Sequence, residues 1–281
     1  LWFTTHNHGL KLVKYRLENI NFGAMSDKIK WLESQQRFAF CALSSIPVRE
    51  APKDSAQQVT QLLFGEPIEI LKFDRPWLHI RSYIDGYEGF IDHKQVLALT
   101  EKELRRWLED ANYSAIHFQP IEGPFGRQIL SGGSLVGQEE TFQIGNFKYQ
   151  IEPASVKNNA WTYALSFLNT PYLWGGKSIF GIDCSGLVQN VFRQLDLNLP
   201  RDAYQQAELG NPIDFEDRQQ LDLAFFINGN GKIHHVGIVS PELEILHASG
   251  HVRLDALSKE GVFNQSAGDF THSLHEIRRL F

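Results

Sequence analysis

The sequence predicts an α+β protein, with an all-β N-terminal part followed by a part in which helices come first and an antiparallel sheet after. Three observations carry that expectation. Between residues 37 and 99 apolar and polar positions alternate in short runs, with turn residues roughly every 8 to 12 positions. From residue 153 onward the apolar period lengthens to that of helices, then returns to strand-like runs around Phe225, Val236 and Leu246. A chain of 281 residues with 42% in the hydrophobic set can bury more than one core.

In chain order, residues 1–36 read as an extension. They hold Lys11, Lys14 and Arg16 without a following apolar run of about 7 to 15 residues, so no signal peptide is expected there. A cytoplasmic location is the expectation, with a secreted or periplasmic one as the alternative. Residues 37–99 suit a small barrel, with Cys41 buried in the strand of Phe38 and Phe40 and a type I′ hairpin turn at Asp85-Gly86. Thr100 and Glu103 make a capping-box pattern that opens a short charged helix over 100–111, read as a connector. Residues 112–152 return to β character, as a second and degenerate barrel with a hairpin about Gly145-Asn146. The last part, 153–281, is expected to hold a helix over 158–168, a glycine-bearing loop, a helix over 184–197, and the sheet.

Composition excludes several classes of partner. Lys and Arg total 27 against 33 acidic residues, for a net charge of −6, and no basic cluster forms the footprint of a nucleic-acid or anionic-membrane binder. No run approaches the roughly 18 to 20 apolar residues of a membrane span. The two cysteines, Cys41 and Cys184, lie far apart and in no CxxC or metal-ligand spacing, so neither a disulfide framework nor a metal site or other cofactor is expected.

The chemistry gathers around Cys184. Asp183-Cys184-Ser185-Gly186 follows a loop bearing Gly175, Gly176 and Gly181, and Leu187, Val188, Val191, Phe192 and Leu195 then recur at helical spacing. A thiol in the first turn of a helix meets unpaired amides and the positive end of the dipole, so its pKa is expected to fall. Such a nucleophile needs a base, and the base needs a group that fixes its tautomer. Of the eleven histidines, His235 and His247 answer this. A hairpin centred on residue 241 would set them directly opposite one another, with His234 on the other face. The same three side chains could hold zinc, but their spacing matches no common zinc pattern.

These residues lie in stretches that closely resemble the NlpC/P60 family of cell-wall cysteine peptidases. The matching runs are Pro171 to Gly176, Gly181 to Val188, Leu199 to Asp202, Leu221 to Phe226, His235 to Ile238 and Leu246 to Ser249, in order and at family-like spacing. The segment from 37 to 99 resembles a bacterial SH3-like domain. The resemblance implies a papain-like α+β fold with Cys184 as nucleophile, His235 as general base and His247 as the orienting third residue.

An SH3-like region ahead of such a domain is similar to the subgroup that cleaves γ-D-glutamyl-L-diamino acid bonds in free murein peptides. It implies substrate contacts at Tyr172, Asp183, Ser185 and Asp202, with Asp202 pairing with the ammonium of an N-terminal L-Ala. One departure is Ala203, where the family often has a serine. Glu50, Tyr87 and Glu88 are candidate cleft contributors, whereas Trp161 and Trp174 read as packing. Two alternatives stay open: a secreted endopeptidase acting on intact wall, and an inactive peptidoglycan-binding protein.

Overall fold

The computed structural model describes residues 36–152, 159–265 and 267–281. The expected extension at 1–36 therefore lies, but for its last residue, outside the described residues, as does the start of the helix expected from residue 158. Seven strands build the first sheet: β1 (Phe38–Cys41), β2 (Ser45–Arg49), β3 (Gln58–Leu63), β4 (Pro67–Asp74), β5 (Trp77–Ser82), β6 (Glu88–Asp92) and β7 (Val96–Leu99). They pair antiparallel in the order β3-β2-β6-β5-β4-β1-β7, around a core that includes Val48, Leu62, Ile80 and Cys41.

The hairpin at Asp85-Gly86 forms, but not with the expected turn. Strand pairing stops at Arg81↔Glu88, and of the two central residues only Gly86 has positive φ, at 73°. A type I′ turn needs both. Asp85 is committed elsewhere, since its carboxylate accepts from Tyr87 N at 3.2 Å and from Gln189 Nε2 at 3.0 Å, across to the C-terminal half.

Helix α1 (Glu101–Asp110) starts with the expected capping box, in which Glu103 N donates to Thr100 Oγ1 and Thr100 N donates to Glu103 Oε2. It is more than a connector. Leu104 and Trp107 are buried in a core shared by the first sheet, through Phe40 and Phe64, and by the next β segment, through Ile121, Phe142 and Tyr149. Trp107 Nε1 also donates to Gly65 O at 2.8 Å. That segment comprises β8 (Ala111–Tyr113), β9 (Gln119–Gly123), β10 (Gly126–Leu130), β11 (Leu135–Gly137), β12 (Thr141–Ile144) and β13 (Phe147–Ile151). Its strands form a four-stranded sheet, β10-β9-β13-β12, and a pair, β11-β8.

The rest is the α+β layer. Helix α2 (Ala160–Leu165) is capped by Asn159 and is shorter than expected, because the chain tightens into successive turns and reaches positive φ at Asn169. The short strands β14 (Lys177–Ser178) and β15 (Gly181–Ile182) hold the glycine loop ahead of helix α3 (Cys184–Arg193). Helix α3 also stops before residue 197. Asp196 has φ 57° and Leu197 N donates to Phe192 O, which is a Schellman closure of the helix end.

After the single-turn helix α4 (Ala203–Gln206) come β16 (Asn211–Ile213), β17 (Leu223–Ile227), β18 (Ile233–Val239), β19 (Ile245–Ser249), β20 (His251–Leu257), β21 (Gly261–Asn264) and β22 (Asp269–Arg279). They pair in the order β16-β22-β17-β18-β19-β20-β21, and β22 also pairs with β21, which closes the sheet on itself. One face packs on α2 and α3 through Leu187, Val191, Phe225 and Val236, while Phe226, Val239, Ile245 and Ile277 fill the other side. Among the described residues no helix is long and apolar enough to cross a membrane.

Buried polar contacts join the first sheet to this layer. Glu66, fully buried between β3 and β4, accepts from Lys177 Nζ at 3.0 Å and from Arg193 Nη1 at 2.7 Å. Arg201 Nε donates to Thr60 Oγ1 at 2.9 Å, and Gln58 Nε2 donates to Trp174 O at 3.0 Å. These contacts set one wall of the site against the other.

Candidate active site

Cys184 is the first residue of α3, placed there by Asp183, whose side chain caps the helix by accepting from Gly186 N at 2.8 Å. The same carboxylate accepts from Gly175 N at 2.8 Å and from both terminal nitrogens of Arg201, at 3.0 and 2.5 Å. Gly175 has φ +75°, so the loop reaches the cap only with a residue that tolerates the left-handed region. Arg201 Nη1 also donates to Ser185 Oγ, at 2.7 Å. Asp183 and Ser185 line the pocket, yet Asp183's lone pairs are committed to Arg201 and its own loop, leaving little for a ligand. Arg201 is 2% exposed, and in the sequence it stands only within the run Leu199 to Asp202, with no signal of its own.

The thiol is not lowered by its helix. Burial pushes Cys184 up to about 12, and the charge of Asp183 adds to that, outweighing the backbone hydrogen bonds at Val236 and Ser185 and the field of Arg201. Desolvation of an anion in a covered site exceeds what half a unit of helix charge returns. Cys184 therefore rests as a neutral thiol.

His235 and His247 meet, although not by the expected register. Pairing Ile238↔Leu246 and Val239↔Ile245 centres the hairpin on residue 242, so His247 lies opposite Gly237 rather than His235. The shift comes from the turn: Leu243 N donates to Ser240 O and Leu243 takes φ 66°, a type I turn with a left-handed residue after it. A centre moved by one residue changes the pairing by two, which keeps both histidines on one face. They become diagonal neighbours, and Gly237 leaves the room, since a Cβ there would sit 3.0 Å from His247 Cβ. His235 Nε2 and His247 Nδ1 are 2.8 Å apart.

The expected alternation of His234 also fails. Phe226 pairs with His235 and Ile227 with Ile233, so His234 is the extra residue of a β-bulge, and it lines the pocket instead of facing away.

A fourth residue completes the line. His247 Nε2 lies 3.0 Å from Asp255 Oδ2, and Arg253 Nη2 donates to the other carboxylate oxygen at 2.7 Å. Burial raises the Asp255 carboxyl, but the hydrogen bonds of His247 and Arg253 prevail and its pKa is lowered overall. An ionised carboxylate only accepts, so it selects the Nε2–H tautomer of His247. His247 Nδ1 must then accept from His235 Nε2–H, which leaves His235 Nδ1 with a free lone pair. Burial first, and then the neighbouring His247, His272 and His234, hold His235 well below the usual histidine value, so it rests neutral with that lone pair available. The hint in the sequence is a charged pair, Arg253 and Asp255, alternating with the apolar Val252, Leu254 and Ala256.

Cys184 and His235 open on a cavity of about 610 Å³. Tyr172, Asp202 and Tyr87 line it too, so residues from both halves share one pocket. Tyr87 Oη approaches the Asp202 carboxylate at 3.4 and 3.5 Å, long for a hydrogen bond. Burial raises Asp202, and it raises Tyr87 to about 12 with Asp202 adding to the shift. Glu88 instead pairs with Arg81 at 2.7 Å, and neither it nor Glu50 lines the pocket. Trp174 is 58% exposed and lines the cavity, so the packing role expected for it does not hold.

The sequence profile of the NlpC/P60 family matches residues 169–269, and that of a bacterial dipeptidyl-peptidase Sh3 domain matches residues 48–96. A γ-D-glutamyl-L-lysine dipeptidyl-peptidase from Bacillus subtilis is 44% identical over 217 residues, covering 67% of this chain and 71% of that protein. The chain belongs to the NlpC/P60 family. It is an NlpC/P60 peptidase with an SH3-like region ahead of the family domain. A second dipeptidyl-peptidase of the same name, from Bacillus cereus, is 35% identical over 107 residues, 36% of this chain and 32% of that protein. In fold, the chain is similar to a solved NlpC/P60 family protein from Bacillus cereus, with a TM-score of 0.70 and 18% identity over 86% of this chain and 99% of that one.

Proposed function

We propose that this NlpC/P60 protein is a cysteine endopeptidase that hydrolyses the γ-D-glutamyl-L-diamino acid bond of murein peptides with a free N-terminal L-Ala, in recycling of cell-wall peptides. The observation that carries the reading is the line Asp255, His247, His235 beside a helix-start thiol, in a pocket that also presents a half-buried carboxylate. His235 Nδ1 takes the Cys184 proton as sulfur attacks the γ-glutamyl carbonyl, and backbone amides at the start of α3 hold the oxyanion. The positive charge that develops on His235 is stabilised by the Asp255 carboxylate behind His247, with no proton passing to Asp255. His235 then protonates the leaving amine of the diamino acid, and water releases the thioester.

Asp202 supports the choice of substrate. Burial raises its pKa by more than the Arg201 guanidinium and the long contact with Tyr87 lower it, so an arriving ammonium supplies further compensation. The names of the two Bacillus relatives agree with a γ-D-glutamyl substrate.

The test is incubation, under reducing conditions, with L-Ala-γ-D-Glu-diaminopimelate and its N-acetylated form, following release of the diamino acid by mass spectrometry. Cleavage of the free peptide alone is expected. Equal cleavage of both would move the protein to hydrolysis of intact wall, and cleavage of neither would leave a binding protein.

A further inference from the structure

One histidine in the pocket wall is not used by that mechanism. His272, on β22, stacks on His235 with ring centroids 4.2 Å apart and stands edge-on to His247 at 5.5 Å. One ring nitrogen from each of His235, His247 and His272 lies within 4.8 Å of the other two, and Cys184 is outside this triangle. We propose that these three histidines form a binding site for Zn²⁺ or a similar divalent transition-metal ion, and that the bound ion switches the peptidase off. Metal binding follows from the cluster alone, whereas the switching rests on the peptidase reading above.

The donor set suits such an ion. Imidazole is a preferred ligand of zinc, and three protein nitrogens with a fourth position open to the pocket match a tetrahedral ion. One of the nitrogens is already oriented. His247 carries its proton on Nε2, toward Asp255, so Nδ1 presents a lone pair to the cluster. A carboxylate behind a ligating histidine fixes its ring and raises its basicity. His272 Nδ1 is 2.9 Å from Thr271 Oγ1, and a hydrogen bond donated there by the ring would leave Nε2 to ligate. The third nitrogen is His235 Nε2, now 2.8 Å from His247 Nδ1. At zinc–nitrogen distances near 2.0 to 2.1 Å the two nitrogens must part by about 0.5 Å.

The proton balance gives the inhibition. A neutral imidazole ligating through Nε2 carries its single proton on Nδ1, so the ion displaces the proton from Nε2 and the ring takes one at Nδ1. That is the lone pair that would receive the Cys184 proton. Nothing is oxidised and no bond in the chain breaks, so removal of the ion restores the base.

The test is equilibrium dialysis of the full chain against Zn²⁺ with metal analysis, together with Co²⁺ as a spectroscopic probe. Cys184→Ala and His272→Phe are compared with the parent, the second keeping a ring over His235 without a ligand nitrogen. One ion per chain is expected in the parent and in Cys184→Ala, with affinity at least about tenfold weaker in His272→Phe. Cobalt in the parent should show visible ligand-field bands without an intense thiolate charge-transfer band. Binding lost in Cys184→Ala and kept in His272→Phe would put the ion on the thiol and overturn the proposal, as would stoichiometric binding in none of the three. If His272→Phe does not fold, Asp255→Asn replaces it, with an expected loss of about 10- to 100-fold in affinity. Peptide turnover in chelator, followed by zinc addition and its reversal, separates the two claims. Turnover without zinc binding ends the metal site alone, and zinc binding without turnover ends the peptidase reading alone.

Discussion

Cys41 and Cys184 are both buried free thiols, and burial raises the pKa of both. Their surroundings differ. Cys41 lies in the strand β1, with its Sγ 3.2 Å from Leu43 O and 3.7 Å from Leu62 O, and burial outweighs the Leu43 backbone hydrogen bond and the Lys177 charge that favour its thiolate. Cys184 lies at a helix start, with backbone amides beside the sulfur, a guanidinium close by and a pocket in front. Resting acidity therefore does not separate a structural cysteine from a reactive one here. Access, and a neutral imidazole of fixed tautomer, do.

The largest effect should come from the cysteines themselves. Cys184→Ala is expected to lower kcat/KM by at least about 10⁴-fold while keeping the melting temperature near that of the parent. Cys41→Ala should leave the rate within about twofold and cost on the order of 1 kcal/mol of stability. A normal rate in the first variant, or a lost rate in the second, would break the comparison.

Next is the residue that sets the tautomers. Asp255→Asn should reduce kcat by about 10²- to 10⁴-fold with little change in KM, because an amide can present its NH₂ to His247 and reverse the proton order along the line. Steady-state kinetics on the tripeptide reads this directly. A rise in KM alone would mean that Asp255 only shapes the pocket.

Asp202→Asn tests access rather than chemistry. Loss of one charge-assisted bond to the ammonium should cost about 10- to 100-fold in kcat/KM on the free peptide, chiefly through KM, and narrow the gap to the N-acetylated form. An unchanged preference for the free amine would remove Asp202 from that role.

The smallest effect concerns a histidine whose tautomer is fixed with no thiol beside it. His117 accepts from Gly132 N at 3.1 Å through Nδ1, and its Nε2 is 2.9 Å from Ser166 Oγ. Burial lowers it to about 4. Its depressed folded value means that stability is undiminished above the unfolded value near 6.5 and is lost as pH falls from there to about 4. In His117→Asn the fall in melting temperature across that window should be shallower, by on the order of 2 kcal/mol of pH-linked stability. Activity at neutral pH should stay close to the parent's. An unchanged slope would show that another group carries the acid sensitivity.

Much of the fold could be read in the sequence because its signals are local. Thr100 and Glu103 cap a helix within one turn, Gly145 turns a hairpin at φ 60°, and Cys184 follows its own glycine loop. Residues whose part depends on register between distant strands could not be read this way. Asp255 reaches His247 only because β20 pairs with β19 in one alignment, and His272 reaches His235 only because β22 returns beside β17. The centre of the 240–244 turn depended on Leu243 adopting a left-handed conformation, which nothing in a leucine announces. Burial, which sets the direction of the Cys184 shift, is a property of the whole assembled pocket.

Glu66, with Lys177 and Arg193 on it, has a consequence for how the molecule comes apart. Withdrawing the first sheet from the α+β layer would strand a carboxylate and two cations that are each at most about 2% exposed. Any of the three that a separated half still covers would be a buried charge without its partner, which is strongly destabilising. The SH3-like region and the family domain should therefore melt in one cooperative transition, with equal calorimetric and van't Hoff enthalpies, and limited proteolysis should release neither half intact.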